Sequence, residues 1–185
     1  MPVTEYLIRN AELYPDEVAL VELNPDEKDT RRTTWKEFDL IQPSANMPYR
    51  REITWSVFNE KANRFANMLI SRGVKKGDKV AILMYNCLEW LPIYFGVLKT
   101  GAIAVPFNFR YDSDEIYYCA ELAQVDVIVF GFAFIGRIEV NAERLLRGRL
   151  LIYVGDNCPS FAESYHELVA DCSSKEPDVK ITEDD

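Results

Sequence analysis

Few residues in this chain have the types and spacing that catalysis or metal binding needs. Its cysteines lie at positions 87, 119, 158 and 172, and its one histidine is His166. The gaps between these residues are too irregular for a zinc site, and no Cys-x-x-Cys pair occurs. We therefore interpret the four cysteines as reduced thiols, and we predict no catalytic residue and no metal ligand in this chain.

Clustered carboxylates offer a second possible chemistry. Asp112, Asp114 and Glu115 could be read as metal ligands, but acidic residues also favour the first turn of a helix. We expect a helix over Ser113–Ala123, with Ser113 as its cap. Tyr85-Asn86-Cys87 follows a predicted strand, at the sheet edge where α/β proteins gather their ligand sites, although a loop that caps the next helix explains it as well.

Composition excludes several classes of function. The 185 residues are 48% hydrophobic and 28% charged, which is typical of one globular domain. The net charge of −9 argues against a nucleic-acid binder or an anionic-membrane binder, since both need clustered positive charge. No apolar stretch is long enough to span a bilayer, and the first residues lack the pattern of a signal peptide. We expect a cytoplasmic protein.

The elements that would position these residues follow a regular rhythm. Strands are predicted at Lys79–Met84, Ala102–Val105, Asp126–Phe130 and Leu150–Val154. Counted with Arg149 as the start of the last strand region, these regions begin 23, 24 and 23 residues apart. Helices are predicted between them at Leu88–Thr100, Ser113–Ala123 and Phe134–Leu146, with others at Thr4–Tyr14, Thr54–Gly73 and Phe161–Ala170. Strand–helix units of this length are typical of an α/β layered fold with a mainly parallel sheet flanked by helices.

The boundaries of this domain are less regular. We interpret residues 1–185 as a single α/β unit, with a strand at Val18–Leu23. Residues 24–52 carry charge runs and three prolines and are predicted to form an extended hairpin insertion, with a possible strand at Thr33–Leu40. Residues 171–185 are polar and are predicted to be a linker towards a second subdomain.

One region carries a resemblance to a known family. Within Ile53–Phe130, the segment Leu98–Pro106 reads Leu-Lys-Thr-Gly-Ala-Ile-Ala-Val-Pro, and Gly73–Met84 reads Gly-Val-Lys-Lys-Gly-Asp-Lys-Val-Ala-Ile-Leu-Met. The region resembles the N-terminal part of the adenylate-forming (AMP-binding) superfamily, and within it the AMP-forming acyl-CoA synthetases. Most of the matching residues have a structural explanation, because Gly101 can end a helix and Pro106 can end a strand.

The resemblance implies a two-step reaction for a parent enzyme. A carboxylate, from a fatty or other acyl acid, attacks the α-phosphate of ATP, and coenzyme A then displaces AMP from the acyl-adenylate, with Mg²⁺ at the phosphates. In the family a glycine-rich loop and later motifs hold ATP. This chain has 8 glycines and neither a Gly-x-x-x-x-Gly-Lys nor a Gly-x-Gly-x-x-Gly motif. We therefore expect this chain alone to be inactive and to bind no cofactor.

Arg110 is the candidate binding residue. In many acyl- and aryl-CoA ligases an arginine after this strand contacts a phosphate of coenzyme A, and the resemblance gives Arg110 that role. Its guanidinium has the fork of donors that suits phosphate. Alternatively, Arg110 pairs with a local carboxylate such as Asp112 or Asp114.

The resemblance also implies partners, namely the remaining subdomains of the ligase. We expect the surface that meets them to be apolar and to support a homodimer, with Phe130–Ile135 and Trp90–Phe95 as its candidates. Two alternatives stay open: an adenylation module or luciferase-like member of the same superfamily, and a non-enzymatic α/β binding module.

Overall fold

The computed structural model describes residues 1–23, 48 and 50–182. The helices are α1 (Val3–Leu13), α2 (Trp55–Ser71), α3 (Trp90–Lys99), α4 (Ser113–Ala123), α5 (Ile135–Glu139), α6 (Ala142–Leu145) and α7 (Tyr165–Ala170). The strands are β1 (Val18–Leu23), β2 (Arg50–Thr54), β3 (Lys79–Leu83), β4 (Ile103–Pro106), β5 (Val127–Gly131), β6 (Leu150–Val154) and β7 (Glu163–Ser164). A short 3-10 helix, Phe132–Phe134, joins β5 to α5.

A five-stranded sheet forms the centre of the domain. Its order is β4-β3-β5-β6-β7, and every neighbouring pair is parallel. The four predicted strands are therefore confirmed, with shifts of one residue at some ends. The strands β3, β5 and β6 are almost wholly buried, as continuous apolar runs in a covered parallel sheet should be.

Helices cover both faces of this sheet. Along β3, Val80 and Ile82 point into a core that includes side chains of α2, α3 and α7. Ala81 and Leu83 point into the opposite core, which α4, α5 and α6 close. The alternation of strand side chains thus gives one core on each face, which confirms the predicted layered α/β fold.

The packing of α2 against α3 depends on close backbone approach. A Cβ atom on Gly96 would lie 2.9 Å from the carbonyl oxygen of Ala62 and 2.9 Å from the ring of Phe65. Thr54 caps α2 by accepting a hydrogen bond from the amide of Val57, and Gly73 after the helix has φ of +87°.

A separate antiparallel hairpin lies beside α1 and α2. Strands β1 and β2 pair with Leu23 opposite Arg50, and Ala19, Leu20 and Ile53 pack on the small core of Leu7, Phe58 and Ala62. The predicted strand Val18–Leu23 is confirmed. Most of the predicted insertion at 24–52, including the possible strand Thr33–Leu40, lies outside the described residues.

Several predicted details of the helices are wrong. Asp112, not Ser113, caps α4: its carboxylate accepts from the amides of Asp114 and Glu115, while Glu115 accepts in return from the amide of Asp112. The helix predicted over Phe134–Leu146 is divided between α5 and α6 because Val140 and Asn141 separate them. Residues 161–164 are not helical, and two of them form β7.

The predicted apolar docking face is also wrong. Phe130 and Phe134 are fully buried, and so is Ile93 of the Trp90–Phe95 segment, because these side chains fill the cores of this domain. Phe132 is the large exposed side chain of the first segment, with 53% of its surface accessible. The proposed homodimer therefore loses the face that was assigned to it and stays a prediction without a defined interface.

Residues 173–176, which we call the strap, lie along the polar side of α2. Asn67 donates to the carbonyl oxygens of Ser173 (2.8 Å) and Lys175 (2.9 Å). One turn earlier, Asn63 donates to the carbonyl oxygen of Ser174 (3.0 Å) and to Glu176 (2.9 Å). Three asparagines at a spacing of four residues, with Asn59 as the third, therefore bind the strap to one helix.

A buried ion pair ends the strap. The Nζ atom of Lys99 lies 2.5 Å from Glu176 and donates to Asn59 at 2.8 Å. The Lys99 side chain is 2% exposed, whereas that of Glu176 is 40% exposed. Burial lowers the pKa of Lys99 and Glu176 opposes that change. Burial would raise the pKa of Glu176, but hydrogen bonds from Lys99, Asn63 and Asn59 outweigh it and the pKa is lowered.

Among the described residues, no helix combines the length and apolar character that crossing a membrane requires.

Candidate functional site

The order of the strands defines one place where ligands are expected. The chain passes from β3 outward to β4 and then returns to β5 on the other side of β3. The carboxyl ends of β3 and β5 therefore flank the point where the strand order reverses, which is the usual position of ligand crevices in open α/β sheets. The loops that follow β3, β4 and β5 at this edge, residues 84–89, 107–112 and 131–134, are called the carboxyl-edge loops.

Aromatic contacts join the three carboxyl-edge loops. The ring of Tyr85, after β3, lies 5.8 Å from that of Phe109, after β4, and 5.1 Å from that of Phe134, after β5. Both pairs meet edge to face, the geometry that aromatic rings prefer. Tyr85 thus lies at the centre of this edge, and the position that the sequence marked as a possible ligand loop is part of a shared aromatic cluster.

The first carboxyl-edge loop is also held by the hairpin. Glu22 of β1 accepts from the backbone amide of Leu88 at 3.2 Å and from the guanidinium of Arg51 at 2.5 Å. The β1–β2 hairpin therefore fixes the loop after β3. No local pattern in the sequence indicates this contact, because Glu22 and Leu88 are 66 residues apart.

Arg110 lies on the second carboxyl-edge loop and its side chain is exposed. Its backbone amide donates to the side-chain oxygen of Asn108 at 3.0 Å, and the amide of Tyr111 donates to the carbonyl oxygen of Asn108 at 3.0 Å. The guanidinium carbon of Arg110 lies 5.2 Å from the centre of the Phe109 ring. The result is a hydrogen-bonded turn that carries an exposed arginine at the carboxyl edge of the sheet.

Arg137 of α5 contacts the turn that carries Arg110. Its Nη1 atom donates to the carbonyl oxygens of Phe109 (2.6 Å) and Tyr111 (3.0 Å), and its guanidinium carbon lies 5.5 Å from the centre of the Phe134 ring. The two carbonyl groups flank Arg110 in sequence. Sequence reasoning missed Arg137, because nothing local distinguishes it from the other arginines of residues 137–149.

The carboxylates beside Arg110 are explained by the helix that they begin. Asp112 and Glu115 form a capping box at the start of α4, and Asp114 accepts a hydrogen bond from Asn141 at 3.4 Å. Within the described ranges, no group of three or more histidine, cysteine, aspartate or glutamate side chains could hold a metal ion.

The thiol of Cys87, on the first carboxyl-edge loop, is poorly suited to nucleophilic chemistry. Burial, with a smaller contribution from Glu89, raises the pKa of Cys87 to about 12. The thiolate is the reactive form of cysteine, so Cys87 is inert at neutral pH. The pKa of Cys158 is raised as well. This residue is exposed as a whole, but partial desolvation of its sulfur is the main cause, followed by the charge of Glu167.

Comparison with known protein families identifies the family of this chain. Residues 7–185 match the family described as AMP-binding enzyme. The chain belongs to this family.

Two curated relatives and one solved structure illustrate the similarity. The long-chain-fatty-acid–CoA ligase FadD13 of Mycobacterium tuberculosis (strain CDC 1551 / Oshkosh) is 30% identical over 146 residues, which are 78% of this chain and 27% of that ligase. The crotonobetaine/carnitine–CoA ligase of Salmonella enteritidis PT4 (strain P125109) is 38% identical over 84 residues, 45% of this chain and 16% of that ligase. The N-terminal domain of FACL13 from Mycobacterium tuberculosis aligns over 100% of this chain and 40% of its own, at 23% identity and a TM-score of 0.71.

These matches confirm the resemblance and the fold, but they cover little of the relatives' length. The chain spans about a quarter of FadD13 and less of the crotonobetaine/carnitine ligase. At 23% identity, the likeness to FACL13 speaks for the fold alone.

Proposed function

We propose that this chain is the N-terminal part of an AMP-forming carboxylate–CoA ligase. The observation that carries the proposal is the family match over residues 7–185, to which the two CoA ligases described above add a reaction class. The complete enzyme joins a carboxylic acid to coenzyme A, with ATP converted to AMP and pyrophosphate. The two relatives act on different acids, a long-chain fatty acid and crotonobetaine or carnitine, so we propose an acyl acid without a defined chain length.

Of coenzyme A, ATP and magnesium, the residues of this chain fit coenzyme A. Arg110 offers an exposed guanidinium on an ordered turn at the carboxyl edge of the sheet, which suits a phosphate of coenzyme A. For ATP and magnesium the fit fails, since the sequence has no glycine-rich phosphate loop and the described residues assemble no metal site. We therefore assign Arg110 to coenzyme A and assign ATP and magnesium to other parts of the ligase.

The complete ligase tests the reaction class directly. Incubation with ATP, magnesium, coenzyme A and a panel of fatty, short-chain and aryl acids should give an acyl-CoA thioester and AMP, measured by mass spectrometry. Adenylate without thioester would instead indicate an adenylation module or a luciferase-like enzyme. Neither product with any acid would support the non-enzymatic alternative.

The 185-residue chain alone should be inactive. Acid-dependent exchange between ATP and pyrophosphate should stay at background, because this chain lacks the groups that hold ATP. Robust exchange by the purified chain would contradict the assignment of ATP to other parts of the ligase.

Arg110→Ala in the complete ligase tests the binding residue. Loss of one charge-assisted contact should raise the Michaelis constant for coenzyme A by about ten-fold or more and leave adenylation nearly unchanged. An equal loss in both half-reactions would mark Arg110 as structural, for example as a partner of Asp112 or Asp114.

A further inference from the structure

The turn that carries Arg110 has no regular secondary structure, so its shape depends on individual hydrogen bonds. Asn108 accepts from the amide of Arg110, and this bond fixes the start of the turn. The carbonyl oxygens of Phe109 and Tyr111 both accept hydrogen bonds from one nitrogen of Arg137. A single guanidinium therefore binds the carbonyl group of the residue before Arg110 and that of the residue after it.

Arg137 is itself well placed to act as a rigid support. It belongs to α5, whose residue Ile138 is fully buried in the core beneath the sheet, and its guanidinium lies against the ring of Phe134. Phe134 in turn contacts Tyr85, at the centre of the carboxyl-edge loops. The position of Arg110 is thus connected through Arg137 to the core of the domain.

We propose that Arg137 is a positioning residue for coenzyme A, which orients Arg110 by binding the two carbonyl groups that flank it. This inference rests on the proposed function and deepens it. Arg137 does not touch the ligand; it limits the directions that the Arg110 side chain can take. A loop held in this way presents its guanidinium with less loss of conformational freedom on binding, which favours affinity.

The guanidinium group explains why arginine suits this position. Each terminal nitrogen of arginine carries two N–H donors in one plane, so one nitrogen can serve two carbonyl groups. Lysine could reach one or both carbonyl groups with its rotating donors but would lose the contact between the guanidinium and the Phe134 ring. Methionine keeps much of the apolar stem and removes every donor.

The test compares three substitutions in the complete ligase. Arg137→Met should raise the Michaelis constant for coenzyme A by roughly ten-fold, with adenylation unchanged, because a misplaced binding group costs affinity for its own ligand. Arg137→Lys should restore part of that loss. Arg144→Ala is the control: it removes an exposed arginine of α6 that contacts Tyr117 and Asn141. It should leave the Michaelis constant for coenzyme A and the adenylation rate unchanged.

A double-mutant cycle separates positioning from a general structural role. If Arg137 acts through Arg110, Arg137→Met should have little further effect on coenzyme A in the Arg110→Ala background. Fully additive effects would overturn the positioning role while leaving the role of Arg110 intact. If Arg110→Ala alone leaves the Michaelis constant for coenzyme A unchanged while thioester is still formed, this inference falls but the proposed ligase activity stands.

Hydrogen exchange of the complete ligase gives an independent readout of the turn. Arg137→Met should speed amide exchange in residues 108–112, and Arg144→Ala should not. Unchanged exchange in Arg137→Met would overturn the inference whatever the kinetics show, because the turn would then hold its shape without Arg137.

Discussion

The strap and the turn that carries Arg110 are both irregular segments held by side chains from a helix, but they differ in what they bury. The strap covers Lys99, a cation with 2% of its side chain exposed, and pairs it with Glu176. The turn leaves its own cation, Arg110, exposed to solvent. In both, side-chain N–H groups donate to loop carbonyl oxygens: Asn63 and Asn67 do so at the strap, and Arg137 does so at the turn.

This difference assigns the two segments different tasks. A buried charge that loses its partner is costly, so the strap contributes to the stability of the domain. Hydrogen bonds near solvent contribute less to stability, so the turn is free to serve ligand binding. The comparison predicts that substitutions at the strap change the free energy of unfolding, whereas substitutions at the turn change mainly the kinetics with coenzyme A.

The largest effect should come from removing Glu176. Glu176→Ala leaves the buried ammonium of Lys99 with a hydrogen bond to Asn59 but without its carboxylate partner, and we expect a loss of about 3 kcal/mol in the free energy of unfolding of the 185-residue chain. Lys99→Met is the matched control. It removes the buried charge and leaves Glu176 partly hydrated, so it should cost about 1 kcal/mol or less. Urea unfolding followed by circular dichroism measures both.

Equal losses of unfolding free energy in the two variants would contradict this account. They would mean that the cost comes from losing the ion pair and not from leaving the buried lysine without its carboxylate. A larger loss in Lys99→Met than in Glu176→Ala would show that the lysine stem and its packing dominate.

The next effect is a dependence on pH. Hydrogen bonds from Lys99 and the asparagines leave the pKa of Glu176 lowered in the folded chain. Its contribution to stability is therefore complete above the unfolded pKa, about 4.3, and is lost as the pH falls through the lower folded value. The difference in unfolding free energy between the wild type and Glu176→Gln should shrink as the pH is lowered below about 4. A difference that stays constant between neutral and acidic pH would show that the charge of Glu176 is not what holds the strap.

A smaller effect is expected at the asparagines. Asn67→Ala removes two hydrogen bonds to the strap carbonyl groups without exposing a buried charge, and should cost about 1–2 kcal/mol. Amide exchange in residues 173–176 should become faster, while that of α2 itself stays slow. Unchanged exchange in the strap would mean that Lys99 and Glu176 hold it without the asparagines.

The sequence predicts much of this architecture because most of it is local. The apolar run of Lys79–Met84 and the regular strand spacing are visible in the printed residues, and they gave the parallel sheet. The order of the strands follows from no local pattern. Position after β4 drew attention to Arg110, but the structure was needed to place its turn beside Tyr85 and Arg137.

The strap shows why the rest was missed. Asn59, Asn63 and Asn67 at a spacing of four residues were available as a signal, since they lie on one side of a predicted helix. Their partners lie more than 100 residues away in a segment that the sequence suggested was a polar linker. Lys99 was equally hidden, because a lysine at the end of a helix normally extends into solvent. Whether residues beyond the strap act as a linker stays a prediction.

The smallest effect on stability should come from Arg137, and it sharpens the comparison most. Arg137→Met removes two hydrogen bonds that are only partly buried, and it removes a charge rather than leaving a buried one unpaired. We expect a loss of under about 1 kcal/mol in unfolding free energy, close to that of Arg144→Ala, alongside the rise in the Michaelis constant for coenzyme A that Arg144→Ala does not share. A loss as large as that of Glu176→Ala would erase the distinction between the two segments, because the turn would then be part of the stable framework and its kinetic effects would follow from partial unfolding. Unfolding in urea and the coenzyme A kinetics, measured on the same preparations of the complete ligase, decide between these outcomes.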